Sequence, residues 1–288
     1  MNRLLRWLSV TVAALIGLGL IGYAIVYESS ERILRRTYEL PTVSLSIPTD
    51  SDSIREGRRL ATVRGCFMDC HGKQAEGRVL IDDPKVARIV APNLTAAVHQ
   101  YSDSQLAVII RNGLRPDGRS LMIMPTEAFV GMTDADVGRI IAFLRSLPPL
   151  PGLGRSVSVG PLGRLGLVSG KFKTAAQRIA VAAEPPPAAN QDAEPGRYLA
   201  RTVCAECHGT DLRGDSNPEF TSPDLVVVAS YSQEDFTRLL RTGVAVGGRE
   251  LGMMSSQARN NLSQLSDSEI SSLYDYLHTL PPGSEVKK

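Results

Sequence analysis

The segment CAECHG, residues 204–209, decides how this chain is interpreted. Two thiols separated by two residues and followed directly by a histidine form the pattern of covalent haem attachment. The spacing lets Cys204 and Cys207 form thioethers to the two vinyl groups of one haem, while His208 binds the iron as its proximal ligand. We therefore predict a haem c site at this segment.

A second copy of the pattern, CFMDCHG at residues 66–72, has three residues between the thiols instead of two. The extra residue must bulge if Cys66 and Cys70 are both to reach the vinyl carbons while His71 keeps the iron. We expect both bonds, with attachment through Cys70 alone as the alternative. Together the motifs predict two covalently bound haem c groups and an electron carrier.

The composition narrows the other uses of these residues. The two motifs hold all four cysteines, which could instead form two disulfides or a zinc site, but neither explains the repeated adjacent histidine. Aromatic residues make up only 5% of the 288 residues, as expected if a buried porphyrin fills much of each core. The net charge of +2 gives no reason to expect nucleic acid as a partner.

The amino terminus predicts a membrane anchor. The stretch from Leu8 to Tyr27 has no charged residue and is long enough to cross a bilayer as a helix. Arg3 and Arg6 precede it and place the amino end in the cytoplasm. A cleaved secretion signal is the alternative, although no convincing cleavage site follows. We predict a single-pass anchor at residues 1–27 in a bacterial cytoplasmic membrane, with the haem domains on the periplasmic side, where thioether attachment takes place.

The rest of the chain is an imperfect internal repeat, because five segments recur in the same order. They are GRRLA (57–61) with GRYLA (196–200), APNL (91–94) with SPDL (222–225), YSDSQLAVIIRNG (101–113) with YSQEDFTRLLRTG (231–243), GRSLMIM (118–124) with GRELGMM (248–254), and TDADVGRIIAFLRSLPP (133–149) with SDSEISSLYDYLHTLPP (266–282). The predicted organisation follows from the repeat: a stalk at 28–52, a first domain at 53–150, a connector at 151–194 and a second domain at 195–284.

Each repeat is predicted to form a small all-α domain. First helices are predicted over 56–63 and 195–203, and middle helices over 102–112 and 232–242, each followed by a glycine. Thr133 and Ser266 are predicted N-caps of the final helices, and Ser266 forms a capping box with Glu269. The connector sequence at 160–179 is basic and partly apolar, which leaves three alternatives: packing on a domain, contact with the membrane surface, or a loosely structured linker.

A methionine pair in each repeat supplies candidates for the sixth iron ligand. Aligning GRSLMIM with GRELGMM sets Met124 against Met254, the only position of the segment's end that is methionine in both copies. Met124 and Met254 are therefore the predicted axial ligands, opposite His71 and His208. The alternative is that these methionines only fill the core.

The proximal histidines need an acceptor for their second ring nitrogen. The backbone carbonyls of Pro92 and Pro223 are candidates because both prolines lie between the haem motif and the middle helix. Alternatively, these prolines only shape the loop. His99 and His278 have no counterpart in the other repeat, so we expect them at the surface or a haem edge.

With these residues in view, the chain resembles the class I cytochromes c, in the membrane-anchored two-haem form of bacterial respiratory chains. Pro92-Asn93-Leu94 and Met124-Pro125 match family segments, whereas Met254-Ser255 departs mildly. The resemblance implies two tandem domains behind one N-terminal transmembrane helix. It also implies that the first and last helices of each domain cross, with Gly57 close to Phe143 and Gly196 close to Tyr276. Similar domains occur in cytochrome subunits of periplasmic dehydrogenases, which implies redox partner proteins such as a periplasmic dehydrogenase and a terminal oxidase.

The predicted function is single-electron transfer between a periplasmic donor and a respiratory-chain acceptor, without catalysis by this chain. A two-haem peroxidase is the main alternative, and it needs one haem with an open or displaceable sixth position. A haem-based redox or gas sensor is a third possibility, but no signalling domain accompanies the repeats.

Overall fold

The computed structural model describes residues 3–182, 194–216 and 221–281. Parts of the predicted anchor (1–2), connector (183–193) and second domain (217–220 and 282–284) therefore lie outside the described residues. The described chain is mostly helical, as predicted, and short strands are added to both repeats.

The amino-terminal helix α1 runs from Arg3 to Arg35, eight residues past the predicted end of the anchor. Within the described residues it is the one helix long and apolar enough to cross a membrane. The following residues, 36–50, lie against the first domain: Tyr38 N–H donates to the Gly118 carbonyl at 2.9 Å, and Val43, Leu45 and Ile47 pack against the core. Of the predicted stalk, residues 28–35 thus belong to α1, and residues 36–50 lie on the surface of the first domain.

The first repeat contains α2 (Ser51–Val63), α3 (Leu94–Ala97), α4 (Asp103–Asn112), α5 (Thr126–Phe129) and α6 (Asp134–Ser146). Its first and last helices, α2 and α6, cross at Gly57. A Cβ at Gly57 would lie 1.9 Å from the Arg139 carbonyl oxygen and 3.0 Å from Cβ of Phe143, so no larger residue fits this crossing. The close approach implied by the family resemblance is therefore present.

The first repeat also contains a three-stranded antiparallel sheet, which was not predicted from the sequence. Its strands are β1 (Arg78–Asp83), β2 (Ala87–Ala91) and β3 (Ser156–Val159), in that order across the sheet. The first two form a hairpin between the haem motif and Pro92, and the third comes from the connector. The connector is therefore tied to the first domain by backbone hydrogen bonds.

Two connector helices strengthen this attachment: α7 (Pro161–Val168) packs on α1, and α8 (Ala175–Ala180) packs on α4 and α5. Of the three alternatives for residues 160–179, the loosely structured linker is wrong, because this stretch is folded onto the first domain.

The second repeat contains α9 (Pro195–Leu199), α10 (Ala205–His208), α11 (Gln233–Thr242), α12 (Met253–Asn260) and α13 (Asp267–His278). A short ladder pairs β4 (Val244–Ala245) with β5 (Arg249–Glu250). Gly196 repeats the role of Gly57: its Cβ would lie 1.9 Å from the Ser272 carbonyl oxygen and 2.7 Å from Cβ of Tyr276. The helix crossing is the same in both repeats.

The predicted helix ends are confirmed. Gly113 and Gly243 follow α4 and α11 with φ of +61° and +75°, the left-handed conformation that glycine adopts most easily. The Thr133 hydroxyl accepts from the Asp136 N–H, and Ser266 forms the reciprocal capping box with Glu269. Local sequence thus sets where the helices that frame each repeat begin and end.

Candidate haem sites

Both predicted proximal histidines lie against the predicted proline carbonyls. The Nδ1 atom of His71 is 2.9 Å from the Pro92 carbonyl oxygen, and that of His208 is 2.9 Å from the Pro223 carbonyl oxygen. An Nδ1–H donor fixes the tautomer and leaves Nε2 as the nitrogen for iron. Burial lowers the pKa of both histidines, against the opposing effect of the carbonyls, and so favours the neutral imidazole that binds a metal.

The loops that deliver these carbonyls have the same backbone construction in both repeats. The carbonyl of each histidine accepts from a glycine N–H, Gly77 in one repeat and Gly214 in the other. Ala75 and Leu212 occupy equivalent positions with φ of +64° and +63°, which is uncommon for residues with a side chain. Two loops of different sequence thus adopt the same strained backbone conformation. In each loop this conformation holds the proline carbonyl against the histidine.

The residues after the two prolines have a structural role. The side chains of Asn93 and Asp224 each accept from the backbone N–H two residues later, Thr95 and Val226. They cap the short helices that follow, in keeping with the interpretation of both as loop residues and not as ligands.

The two thiol motifs use different backbone conformations. In the first, the His71 N–H donates to the Cys66 carbonyl at 3.1 Å, and Met68 has φ of +58° and ψ of −68°, a γ-turn conformation that is rare for a residue with a side chain. Arg78 Nη1 donates to the Met68 carbonyl at 2.6 Å. The extra residue of this motif is therefore accommodated as a bulge. In the second motif, Cys204 ends a wide turn at Ala200–Cys204, and Cys207 and His208 lie in α10.

No disulfide joins the four cysteines, all of which the structure describes. Burial raises the pKa of the Cys66 and Cys204 thiols to about 12. Two half-buried thiols beside a histidine whose tautomer is fixed form a donor set that suits a covalently bound haem, and the disulfide alternative loses its support.

Cys66 gives a direct test of the bulged motif. If both thiols bond, Cys66→Ala should leave the first haem attached through Cys70 with one vinyl group unreacted, because Cys70 and His71 are unchanged in this variant. The reduced pyridine haem complex should then show a red-shifted α-band, since the free vinyl group extends the conjugation. An unchanged band, with Cys66 reactive to a thiol reagent in the unfolded unsubstituted protein, would show that Cys66 is not bonded.

Of the two methionines in each pair, the predicted ligand is the more enclosed in the second repeat. Met254 packs against the core, whereas the side chain of Met253 is 49% exposed. In the first repeat Met124 packs against the core, and its neighbour Ile123 is exposed. Enclosure thus favours Met254 over Met253, but Met122 and Met124 are both half-buried, and the axial assignment stays a prediction.

A connector arginine holds the segment that carries Met124. Arg178, in α8, donates to the carbonyls of Met122 at 2.8 Å and Ile123 at 3.3 Å, and also to that of Met124. Its Nε donates to Glu127 at 2.7 Å. This contact could not be predicted from the internal repeat, because α8 lies in the connector, outside both copies. The connector thus takes part in building the first site.

The two sites meet at a buried ionic cluster that the sequence did not predict. Arg64, two residues before Cys66, contacts Asp136 at 3.2 Å, and its side chain is 1% exposed. It also donates to the Tyr198 and Thr202 hydroxyls of the second repeat, each at 3.3 Å. The Tyr198 hydroxyl donates to Asp136 at 2.5 Å. The residues leading into each haem motif therefore share one polar cluster.

Other contacts across this interface involve residues that flank the haem motifs. The segment 200–208 of the second motif contacts α5, which follows Met124, while α2 contacts residues 262–264, which follow α12. At the edge of the interface, Arg59 pairs with Glu269 at 2.7 Å. Both haem motifs therefore adjoin the interface between the repeats.

The remaining histidines, His99 and His278, are exposed. The ring centroid of His278 lies 4.2 Å from that of Tyr274, and Tyr274 donates to the Tyr231 carbonyl. Neither histidine adjoins a haem motif in the chain, and both stay predicted surface residues.

Both repeats resemble a known protein family in sequence. The sequence model of the family described as Cytochrome c matches residues 54–148 and 193–281, one match on each repeat. The fructose dehydrogenase cytochrome subunit of Gluconobacter japonicus is 25% identical over 273 residues, covering 85% of this chain and 56% of that protein. The chain thus spans about half the length of this curated relative.

Proposed function

Because this chain belongs to the cytochrome c family, an electron-transfer family with covalently bound haem, we propose that it carries two haem c groups and passes single electrons from a periplasmic dehydrogenase to a respiratory-chain acceptor. The observation that carries the proposal is the repeated pair of 2.9 Å contacts between a motif histidine and a proline carbonyl. The dehydrogenase as donor is supported by the name of the relative from Gluconobacter japonicus. A terminal oxidase as acceptor stays a prediction.

We propose that two cysteines, one histidine and one methionine hold each haem. Cys66 with Cys70, and Cys204 with Cys207, would form the thioethers. His71 and His208 would bind iron through Nε2, and Met124 and Met254 would close the opposite face. Bound haem c supplies one-electron redox chemistry. A sixth ligand from the chain itself keeps water and substrates from the iron and favours electron transfer over catalysis.

The interface between the repeats supports electron passage within one chain. Burial raises the pKa of the Cys66 thiol to about 12, and the Glu206 carboxylate of the second motif acts in the same direction, opposed by Arg64. Charged groups of both repeats thus act on one thiol, and the segment 200–208 also contacts α5 of the first repeat. The chain would accept an electron at one repeat and release it from the other without dissociating from its partners.

The proposed orientation places both haem domains in the periplasm, anchored by α1. Arg3 and Arg6 before the span favour a cytoplasmic amino end, but Arg32 and Arg35 follow it, so the charge argument alone does not decide the orientation and the haem motifs carry it. Thioether attachment in bacteria takes place outside the cytoplasm, and both motifs follow the span.

The spectrum and reactivity of the full chain, purified in detergent, test this function. We expect two low-spin haems that take up two electrons per chain, and no turnover of hydrogen peroxide above that of unfolded protein. A high-spin haem accompanied by peroxide turnover would overturn the carrier and favour the two-haem peroxidase.

The axial assignment makes a prediction with matched controls in both repeats. Met124→Ala and Met254→Ala should each lower one reduction potential by on the order of 0.1 V, since axial ligation spans ~0.8 V among haem proteins and thioether ligation stabilises ferrous iron. Met122→Ala and Met253→Ala, one or two positions away, should leave both potentials unchanged. Redox titration of the four variants would contradict the assignment if the controls shift and the predicted ligands do not.

A further inference from the structure

Helix α7 (Pro161–Val168) carries an apolar stripe that faces away from the protein. Leu162, Leu165 and Val168 are 55%, 51% and 41% exposed, and Phe172 just beyond the helix is 41% exposed. The opposite side is buried: Gly163 allows close packing on Val86, and the ring of Phe172 turns back against Gly166. Single exposed apolar side chains are ordinary, but three along one side of an eight-residue helix, with the partly exposed Phe172 beside them, mark an interaction surface.

The position of α7 along α1 is fixed by one buried arginine. Arg164 donates to the Ser30 hydroxyl at 2.7 Å and to the Glu31 carboxylate at 2.8 Å. Its guanidinium lies 3.9 Å from the centre of the Tyr27 ring. The side chains of Arg164 and Glu31 are only 11% and 17% exposed, so separating α7 from α1 would leave two largely buried charges without their partners.

This attachment sets α7 at a definite depth. The uncharged stretch Leu8–Tyr27 has 20 residues, which as a helix is about 30 Å long, the thickness of the hydrocarbon layer. Ser30 and Glu31 then lie about 5 Å beyond the hydrocarbon edge. A helix bound there lies at the level where interfacial helices insert their apolar side chains.

The charges around the stripe favour a negatively charged surface. Lys171 and Lys173 flank Phe172 and are exposed. The acidic groups of α1 that face this level are already paired: Glu31 with Arg164 and Arg35, and Glu28 with Arg32. The exposed side thus combines apolar residues with lysines that these carboxylates do not neutralise, which suits anionic lipid headgroups.

We propose that α7 and the turn through Lys173 lie in the headgroup layer of the bilayer that α1 spans, as an interfacial second contact with anionic phospholipid. The proposal rests on the proposed anchoring by α1. It makes the first domain a fixed body on the membrane surface, because α7, β3 and α8 all join that domain.

Labelling from within the lipid tests the proposal on the full chain. The chain would be reconstituted in vesicles of phosphatidylethanolamine and phosphatidylglycerol containing a lipid-soluble carbene-generating probe, and labelled sites mapped by mass spectrometry. We expect the peptide over 160–173 to be labelled roughly tenfold above the exposed residues Val227 and Val246 of the second repeat, because interfacial insertion reaches the acyl boundary. The span at 8–27 is the positive standard.

The outcomes separate this proposal from the anchoring. If the span is labelled but the peptide over 160–173 is labelled no more than Val246, the interfacial helix is contradicted while the anchoring stands. An unlabelled span would overturn the anchoring itself. The double variant Leu162→Ser, Leu165→Ser should lose the α7 label and keep that of the span; retention of the label would contradict insertion by these side chains. Labelling that does not fall when phosphatidylcholine replaces phosphatidylglycerol would overturn the preference for anionic lipid.

Discussion

Arg64→Met is expected to destabilise the folded chain by about 3 kcal/mol, because it removes the buried cation 3.2 Å from Asp136 and leaves that carboxylate only the more exposed Arg139, at 3.5 Å. The four groups of this cluster, Arg64, Asp136, Tyr198 and Thr202, come from both repeats. The loss should therefore appear in both domains, as an earlier and broader unfolding transition. Guanidinium titration followed by far-ultraviolet circular dichroism and by haem absorbance measures it.

Two further variants isolate the cause of this loss. Arg59→Met removes an ion pair of the same interface whose side chains are about a quarter exposed, and should cost about 1 kcal/mol or less. Asp136→Asn, combined with Arg64→Met, should restore part of the stability, since the carboxylate that lost its buried partner Arg64 is then neutral. If Arg64→Met costs no more than Arg59→Met, the buried cluster does not hold the repeats together.

Gly57→Ala is expected to destabilise the first domain by roughly 2 kcal/mol. Alanine gains about 1 kcal/mol over glycine in helix propensity, but overpacking of this kind costs about 3 kcal/mol. The added Cβ would meet the Arg139 carbonyl at 1.9 Å, so α2 and α6 must separate. Their separation would also disturb the edge-to-face contact between Phe67 and Phe143, whose ring centres are 5.8 Å apart. The free energy of unfolding from denaturant titration measures the loss.

The chain offers matched controls for this crossing. Gly154→Ala meets no atom within 4 Å and should change stability by less than about 0.5 kcal/mol. Gly196→Ala should reproduce the loss in the second domain, because its Cβ meets the Ser272 carbonyl at the same 1.9 Å. If the Gly57→Ala variant keeps a first domain as stable as that of the unsubstituted protein, the helices do not cross as closely as described.

The helical frame and the histidine contacts could be predicted because local signals and the repeat agree. Helix ends depend on residues within a few positions, so they can be predicted from the local sequence. This holds for the N-caps Thr133 and Ser266 and for the glycines Gly113 and Gly243 that end the middle helices. The placing of Pro92 and Pro223 relative to the haem motifs needed only the alignment of one repeat with the other. Where two copies carry the same signal, the sequence predicts the local structure well.

The sheet, the docked connector and the Arg64 cluster could not be predicted in this way. β1 and β2 lie between His71 and Pro92, a stretch that is six residues longer than the one between His208 and Pro223, and β3 is far away in the chain. Arg64 and Arg178 are single arginines among the 32 lysines and arginines of the chain, and most of their partners lie 51 to 138 residues away in the sequence. Long-range polar contacts leave no local pattern, so only the folded chain reveals them.

The most direct test of the two-haem account is the intact mass of the full chain matured in a haem-attaching bacterial host, with peptide mapping of the adducts. The account predicts two haem additions per chain, one on the peptide with Cys66 and Cys70 and one on the peptide with Cys204 and Cys207. A single addition, confined to the second motif in a folded protein, would contradict it.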